Sequence, residues 1–336
     1  MRCQPCRSPR ITIPMKYIFL FAGLFAAMFS FGQTPIDTTE EISIGGIRQV
    51  ITIESKDTDL PILLFLHGGP GGSVMGYSDK FTNKLKEHFI VVQWDQRETG
   101  RTLHVNPSPI RLSLELFHHD THEIILTLLK RFNREKLYLA GHSWGTSLGF
   151  HIARQYPSLL YAYIAIGPMV NQVESESIAL SLMKERAQKK GNQQAVGELA
   201  RVKIPFENGE QLYYHRKWLQ ELAGSRRTLS RQYVEDWAAR WLPVFAEASS
   251  ENLFETSRAL GCPVYFVAGK KDYQTNSQLA EKYYLVLTAP RKGFFWFDAG
   301  HSIPTSNPGM LQDRIIGTVL PETFTINKPA TLITTQ

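Results

Sequence analysis

The segment Gly141–Gly145 (Gly-His-Ser-Trp-Gly) places a serine at the centre of a glycine-flanked turn. It directly follows the predicted strand Lys136–Ala140 and directly precedes a helical pattern that extends to Gln155. A sharp strand-to-helix turn lifts a serine hydroxyl above the sheet, and the glycines relieve the crowding that this turn creates. A glycine-rich turn with an incidental serine is the alternative, but the strand and the helix both favour a nucleophile at Ser143.

A serine hydroxyl needs a base to remove its proton, and His301, in a loop after the last predicted strand, is the best-placed histidine. A carboxylate must in turn orient the imidazole ring. Asp272, which follows the predicted strand Val264–Ala268, is favoured for this role. The competitor is Asp298, three residues before His301, which we expect to order its own loop. The predicted triad is therefore Ser143, Asp272 and His301.

Backbone N–H groups must stabilise the oxyanion that forms when a serine attacks a carbonyl carbon. The N–H of Trp144, next to the nucleophile, is one expected donor. A second is expected from the glycine-rich segment His67–Gly72, which follows the predicted strand Ile62–Leu66. No Lys-Ser or Lys-Thr pair closes this segment, so it is not a phosphate-binding P-loop.

Three histidines, His118, His119 and His122, lie on one predicted helix, with His118 and His122 one turn apart. No cysteine or fixed third ligand accompanies them, so we expect a solvated helix face rather than a metal site. The sequence contains no other set of metal ligands. We therefore expect chemistry that needs no metal and no cofactor.

The predicted strands and helices alternate in a way that can position these groups. Two short apolar runs flank Gly45-Gly46 and predict an antiparallel hairpin. The later strands are continuously apolar, which is typical of parallel strands buried on both faces, and helical patterns separate them. We therefore expect an α/β fold with a mostly parallel eight-stranded sheet flanked by helices.

The alternation breaks between about Met169 and Leu260, where glycine is scarce and Lys, Arg and Glu are interspersed. Trp237 and Trp241 are spaced as on one helix face. This segment predicts a helical cap inserted after the sixth strand. The predicted organisation is a core in two parts, residues 34–168 and 261–336, with the cap at residues 169–260.

The first 33 residues have the pattern of a signal peptide, because Lys16 precedes the apolar run Tyr17–Phe31 and the small residues Ser30 and Gly32 predict cleavage before Gln33. The run is shorter than the ~20 residues that span a bilayer as a helix. We therefore expect an exported protein, periplasmic or secreted, without stable membrane insertion. Met15 could be the true start, with residues 1–14 a mis-assigned extension.

Cleavage would remove four basic residues and no acidic one, so the formal net charge would fall from +6 to +2. Because most of the net positive charge would leave with the signal peptide, the high net charge of the whole chain does not predict a nucleic-acid partner, and we expect none. Cys262 would be the one remaining cysteine, which excludes an intrachain disulfide. The sequence does not indicate an oligomeric state.

Three motifs together resemble the proline iminopeptidase branch of the α/β-hydrolases: His67–Gly71, Trp94–Arg97 (Trp-Asp-Gln-Arg) and Gly141–Gly145. The resemblance extends from about residue 42 to residue 319. The sequence departs from the family at Glu98, where a glycine is favoured after Asp-Gln-Arg. Within the second motif, we expect Asp95 and Arg97 to brace the loop rather than to take part in catalysis.

The resemblance implies an α/β-hydrolase fold. It also implies that Ser143, Asp272 and His301 form the triad and that Gly69 and Trp144 provide the oxyanion donors. Dehalogenase chemistry on the same fold would need an aspartate in place of Ser143, which excludes that activity.

Aminopeptidases of this family bind the free amine of the substrate with acidic residues of the helical lid. Carboxylates on a helix surface are mostly solvated, so a match by type alone is weak. The possible counterparts here are Glu235, Asp236, Glu247, Glu251 and Glu255.

Three functional hypotheses follow, all with a small molecule or a short peptide as the ligand. The leading one is an exported aminopeptidase that releases N-terminal residues, with proline a candidate, through an acyl-enzyme. The second is a carboxylesterase that acts on small esters. The third is a binding protein that kept the pocket and lost turnover.

Overall fold

A computed structural model describes residues 34–225 and 228–324, and its centre is a single eight-stranded sheet. The strands are β1 (Ile36–Ile44), β2 (Ile47–Ser55), β3 (Ile62–Leu66), β4 (Ile90–Asp95), β5 (Leu137–His142), β6 (Leu160–Ile166), β7 (Val264–Gly269) and β8 (Lys292–Phe297). Their order across the sheet is β1-β2-β4-β3-β5-β6-β7-β8.

The sheet is mostly parallel, as predicted. β1 and β2 form the expected hairpin, and β2 also pairs antiparallel to β4, whereas all later neighbours are parallel. Gly45 and Gly46 make the hairpin turn with φ of +57° and +74°, a conformation that glycine adopts without a Cβ clash. Every residue of β3 is buried, which explains its unbroken apolar sequence.

Helices of the core cover both faces of this sheet, and further helices form a cap. In chain order they are α1 (Asp79–Thr82), α2 (Gly100–Val105), α3 (Leu114–Arg131), α4 (Trp144–Gln155), α5 (Gln172–Lys189), α6 (Gln193–Ala200), α7 (Gly209–Leu222), α8 (Arg231–Ser249), α9 (Leu253–Thr256), α10 (Ser277–Val286), α11 (Ile303–Ser306), α12 (Pro308–Arg314) and α13 (Leu320–Thr323). Ile124 of α3, Leu148 of α4 and Leu279 of α10 belong to the hydrophobic core on one face. Phe81 of α1 and Leu311 of α12 belong to the core on the other.

Helices α5 to α9 form the cap after the sixth strand, as predicted. The cap has a hydrophobic core of its own, which includes Leu180, Leu199 and Val234. The backbone N–H of Leu253 donates to the carbonyl of Val170 at 2.9 Å, so the chain leaves and re-enters the sheet domain at one point. The expected boundaries at 168/169 and 260/261 fall in the loops before α5 and after α9.

The predicted signal peptide, residues 1–33, lies outside the described residues. Within residues 34–225 and 228–324, no helix is both long and apolar enough to cross a membrane.

Candidate active site

Ser143 lies at the turn between β5 and α4, with φ of +54° and ψ of −119°. A positive φ is strained for a non-glycine residue and persists only where its surroundings hold it. Two backbone hydrogen bonds do so: the N–H of Ser143 donates to the carbonyl of Ile166 (2.9 Å), and its carbonyl accepts the N–H of Thr146 (2.8 Å). The turn is the expected strained elbow.

The structure brings the three predicted triad residues together. Nε2 of His301 lies 2.9 Å from Oγ of Ser143, and Nδ1 of His301 lies 2.8 Å from Oδ2 of Asp272. The side chain of Asp272 is fully buried, that of His301 is 17% exposed, and Ser143 is 6% exposed. The chain of hydrogen bonds therefore runs from a buried carboxylate, through a partly exposed imidazole ring, to the hydroxyl of a residue that is itself mostly buried.

Thr275, which the sequence reasoning missed, holds Asp272 in place. Its hydroxyl donates to Oδ2 of Asp272 at 2.8 Å, while the N–H groups of Gln274 and Thr275 donate to Oδ1, each at 3.0 Å. Burial opposes ionisation of Asp272, but the nearby His301 and these hydrogen bonds outweigh it and lower the pKa of the carboxyl group. The bond from Gln274 is the Asx-turn that aspartate favours, in which the side chain accepts the backbone N–H two residues on.

Asp298, the competitor for the acid role, lies elsewhere. Its Oδ1 is 3.5 Å from Nζ of Lys271, and its side chain is 76% exposed. The carboxylate that contacts His301 is that of Asp272.

The glycine-rich segment after β3 passes directly beside the nucleophile. A Cβ added to Gly68 would lie 3.2 Å from Cβ of Ser143, which is closer than an ordinary van der Waals contact, so a glycine favours this close approach. Gly69 follows, with φ of +121°. Trp144 is the first residue of α4, where N–H groups have no partner within the helix.

His67 and Gln96 support this loop and were not singled out from the sequence. Nδ1 of His67 donates to the carbonyl of Gly68 (2.8 Å), and Nε2 accepts the N–H of Gln96 (3.2 Å). The side chain of Gln96 accepts the indole N–H of Trp144 at 3.0 Å. One network thus connects both expected oxyanion segments.

His142, inside the elbow motif, also supports the site. Its Nε2 donates to the backbone carbonyl of His301 at 3.1 Å. Burial, together with the nearby His301, lowers the pKa of His142 to about 4, so its ring is neutral at pH 7. A neutral ring adds no charge beside His301.

The second motif braces the loop after β4, as expected. Arg97 makes a fully buried ion pair with Asp120 of α3, at 2.9 Å, and donates to the carbonyl of Gly45 at 2.8 Å. Asp95 accepts the N–H of Arg101 at 2.8 Å. Neither Asp95 nor Arg97 contacts a member of the triad in the described residues.

Glu98 has φ of +60°, which explains why a glycine suits this position. Here the side chain makes contacts that a glycine could not make. One carboxylate oxygen accepts the N–H of Ser108, and the other lies 3.8 Å from Nη1 of Arg240 on cap helix α8. The departure from the family therefore adds a contact between core and cap.

A cavity of about 200 Å³ opens beside Gly69. It lies between the core on one side and the cap helices α7 and α8 on the other. Gly69, Arg216, Trp237, Phe245 and Gln274 are among its lining residues. The indole N–H of Trp237 donates to the carbonyl of Pro70 at 2.9 Å, which holds the cap against the glycine-rich segment.

None of the five suggested lid carboxylates is among the described residues that line this cavity. Each has another partner in the structure. Glu235 pairs with Arg231, Asp236 accepts from Gln232, Glu247 accepts from the N–H of Leu114, Glu251 pairs with Arg154, and Glu255 accepts from Asn252.

The expectation of a solvated histidine face on α3 is wrong for two of the three residues. The ring of His118 stacks on His151 of α4, and that of His122 stacks on Tyr156, each with centroids 3.7 Å apart. Only His119 is largely exposed. The facing helix α4 covers the other two, which the pattern of α3 alone cannot reveal. Within residues 34–225 and 228–324, no group of three His, Cys, Asp or Glu side chains could hold a metal ion.

This arrangement can support acyl transfer, since it combines a hydroxyl, a hydrogen-bonded imidazole, a buried carboxylate and two backbone segments beside the hydroxyl. The chain belongs to the α/β hydrolase fold family, whose model matches residues 61–305. The fold expected from the sequence is thereby confirmed.

The chain is 29% identical over 299 residues to the probable aminopeptidase YbaC of Bacillus subtilis (strain 168). The alignment covers 82% of this chain and 94% of that protein. Its fold is similar to a crystal structure of proline iminopeptidase from Mycobacterium smegmatis, with a TM-score of 0.59, 16% identity, and 85% and 99% of the two chains covered. It is also similar to the carboxylesterase CesB from Bacillus subtilis, with a TM-score of 0.54, 15% identity, and 90% and 98% covered. At these identities the two structures show a common fold alone.

Proposed function

We propose that this protein is a serine hydrolase in which Ser143 is the nucleophile, His301 the general base and Asp272 the orienting acid. The observation that carries the proposal is the unbroken set of hydrogen bonds from Asp272 through His301 to Oγ of Ser143, at 2.8 and 2.9 Å. A buried carboxylate that accepts from Nδ1 fixes the tautomer in which Nε2 can take a proton.

In the proposed reaction, Nε2 of His301 takes the hydroxyl proton while Oγ of Ser143 attacks the substrate carbonyl. The N–H groups of Gly69 and Trp144 stabilise the oxyanion. The tetrahedral intermediate collapses as His301 gives the proton to the leaving amine or alcohol, which leaves an acyl-enzyme. A water, deprotonated by His301, then releases the acid and restores Ser143.

The leading substrate assignment is an aminopeptidase that releases N-terminal residues from short peptides. It is supported by the probable aminopeptidase YbaC, because that alignment covers 94% of the relative. A carboxylesterase is the second candidate. It is favoured by the cavity beside Gly69, whose described lining residues include no carboxylate that could bind a free amine.

A prolyl arylamide and a short-chain aryl ester, assayed side by side, test these two candidates. Cleavage of the arylamide with kcat/KM comparable to that of the ester supports the aminopeptidase. Fast ester turnover without arylamide cleavage would exclude the aminopeptidase and support the carboxylesterase. A protein that a fluorophosphonate probe fails to label would instead be a binding homologue without turnover.

Export is a further part of the proposal and depends on the sequence of residues 1–33. Intact-mass analysis of the natively expressed protein tests it. We expect a mature chain that begins at Gln33, outside the cytoplasm. A soluble cytosolic protein that retains Met15–Gly32 would contradict this.

A further inference from the structure

Among the residues that the structure describes, one charged side chain lines the cavity beside Gly69, and it is a cation. Arg216 on cap helix α7 shares the lining with Gln220, Gln274 and Tyr233 and with apolar side chains such as Trp237 and Phe245. No carboxylate is among the described lining residues. The described lining therefore offers apolar walls and one guanidinium group next to Gly69, one of the two expected oxyanion donors.

The guanidinium is held in one orientation by a buried carboxylate. Nη1 and Nη2 of Arg216 donate to the two carboxylate oxygens of Glu176 on α5, at 2.7 and 2.6 Å. Nη1 also donates to Nδ1 of His215 (2.9 Å), and the guanidinium carbon lies 5.4 Å over the ring of Phe206. Such a bidentate pair fixes the plane of the guanidinium.

These contacts leave donors of Arg216 unused. Glu176 and His215 account for three of its five N–H groups, and among the described residues the Nε–H and one Nη2 hydrogen have no acceptor. The side chain of Arg216 is 17% exposed and that of Glu176 3%. The donors that remain thus belong to the member of the pair that lines the cavity.

We propose that this cavity selects substrates that carry a carboxylate close to the scissile carbonyl, and that Arg216 is the residue that binds it. The inference rests on the proposed serine hydrolase function and specifies its substrate class. The remaining N–H donors of this largely buried guanidinium favour a carboxylate, because charge-assisted hydrogen bonds are the strong ones and solvent screens them little. It disfavours a substrate ammonium group in the same place.

The carboxylate could come from either side of the scissile bond. On the leaving-group side it would be the C-terminal carboxylate of a dipeptide, which would restrict a peptidase to very short peptides. On the acyl side it would be the free acid of a dicarboxylic monoester. Both sources have the same chemistry at Arg216, and two pairs of substrates separate them.

The experiment compares kcat/KM within each pair. The first pair is the dipeptide Pro-Gly and its C-terminal amide, and the second is an aryl monoester of succinic acid and the matching succinamate. We expect the charged member to be preferred by at least ~10-fold in one pair, the size expected of one charge-assisted hydrogen bond. That pair then identifies the source of the carboxylate.

Two variants change the charge at the cavity in opposite directions. Glu176→Gln removes the neutralising carboxylate, so the preference for the charged substrate should rise. The double variant Glu176→Gln/Arg216→Gln removes both charges and leaves no buried ion unpaired, so the preference should fall to about 1. Arg231→Gln is the matched control, since Arg231 is a cap arginine that pairs with Glu210 and Glu235 and does not line the cavity.

Labelling of Ser143 by a fluorophosphonate shows that the site of each variant is intact. It also gives a readout without turnover, because the charged member of a pair should slow labelling at a concentration at least ~10-fold lower than the neutral member. Equal kcat/KM values and equal protection from labelling for the charged and neutral members of both pairs would overturn the role of Arg216. So would a preference for the charged member that Glu176→Gln leaves unchanged. Neither result would affect the proposed serine hydrolase function. A wild-type protein that is not labelled would overturn the proposed function, and the inference with it.

Discussion

The hydroxyl of Ser143 is the atom on which the proposed chemistry depends, because Nε2 of His301 lies 2.9 Å from it. We expect Ser143→Ala to abolish fluorophosphonate labelling and to lower kcat by at least ~10⁴, since the triad acts as a unit and only binding and oxyanion stabilisation remain. Fluorophosphonate labelling checks the first effect. Steady-state kinetics with the prolyl arylamide or the aryl ester, whichever the wild-type protein cleaves faster, check the second. Undiminished labelling of the variant would refute the assignment of the nucleophile.

Asp272 acts on the reaction through the imidazole ring rather than by contact with substrate. Asp272→Asn keeps the size of the side chain but can present an amide donor to Nδ1, which stabilises the wrong tautomer of His301. We expect kcat to fall on the order of 10⁴ with KM little changed. Asp298→Asn is the matched control, because Asp298 pairs with Lys271 at the surface, and it should keep wild-type kcat. The reverse order of effects would give the acid role to Asp298.

The element that presents Ser143 is the start of α4, which packs against the end of β3. A Cβ added to Gly145 would lie 2.3 Å from the carbonyl oxygen of Leu66 and 2.9 Å from that of His67. Both are backbone atoms and cannot move aside cheaply. We therefore expect Gly145→Ala to lower the free energy of unfolding by a few kcal/mol and to reduce kcat, because α4 must shift away from the glycine-rich segment.

Gly197 on cap helix α6 is the matched control for that substitution, since a Cβ there would meet nothing within 4 Å. Alanine is favoured over glycine in a helix, so Gly197→Ala should raise the free energy of unfolding by about 0.5–1 kcal/mol. Urea unfolding of both variants measures the two effects. A Gly145→Ala protein as stable as Gly197→Ala would show that the close approach of α4 to β3 is not required.

The positions of the three triad residues could be predicted because each residue follows a predicted strand. Ser143, Asp272 and His301 come after β5, β7 and β8, and the carboxyl ends of parallel strands meet at one edge of a sheet. The contacts made by the cap could not be predicted in this way. Glu176 and Arg216 are on two different helices, α5 and α7, and helical periodicity gives no information on which helices become neighbours.

The same limit explains the histidines of α3. The sequence shows that His118 and His122 share one helix face, but not that His151 of α4 and Tyr156, the residue after α4, stack on it. The supporting roles of the side chains of His67 and Gln96 were also not predicted, although both residues lie within recognised motifs. Their roles depend on the positions of strand ends that only the assembled sheet defines.

Across the part of the molecule that the structure describes, the fold lowers the pKa of six histidines: His67, His118, His122, His142, His151 and His215. Burial is the main cause in each case: it lowers the pKa of His118 to about 3 and those of His142, His151 and His215 to about 4. Neighbouring cationic groups add to the effect, because His118 and His151 face one another with Arg154 nearby. In the unfolded chain a histidine has a pKa of about 6.5.

These depressed values determine how stability depends on pH. Between about pH 6.5 and pH 4 the unfolded state binds protons that the folded state does not, so the free energy of unfolding falls as the pH falls through this window. Asp272 acts in a lower window, since its pKa is lowered and its contribution is lost only below about pH 4. We therefore expect the protein to lose stability steeply between pH 6.5 and 4, before the loss of the contribution from Asp272 begins.

Urea unfolding at several pH values between 7.5 and 5 measures this slope, and His118 supplies the test of its cause. Nε2 of His118 is buried without a hydrogen-bond partner among the described residues, so His118→Phe keeps the stack on His151 and removes one titrating group. The slope should fall by up to about 1.4 kcal/mol per pH unit in the variant. His119→Gln, on the same helix with its side chain 74% exposed, is the control and should change the slope less than His118→Phe does. Equal slopes in wild type and His118→Phe would mean that the folded protein takes up a proton at His118 as readily as the unfolded chain does.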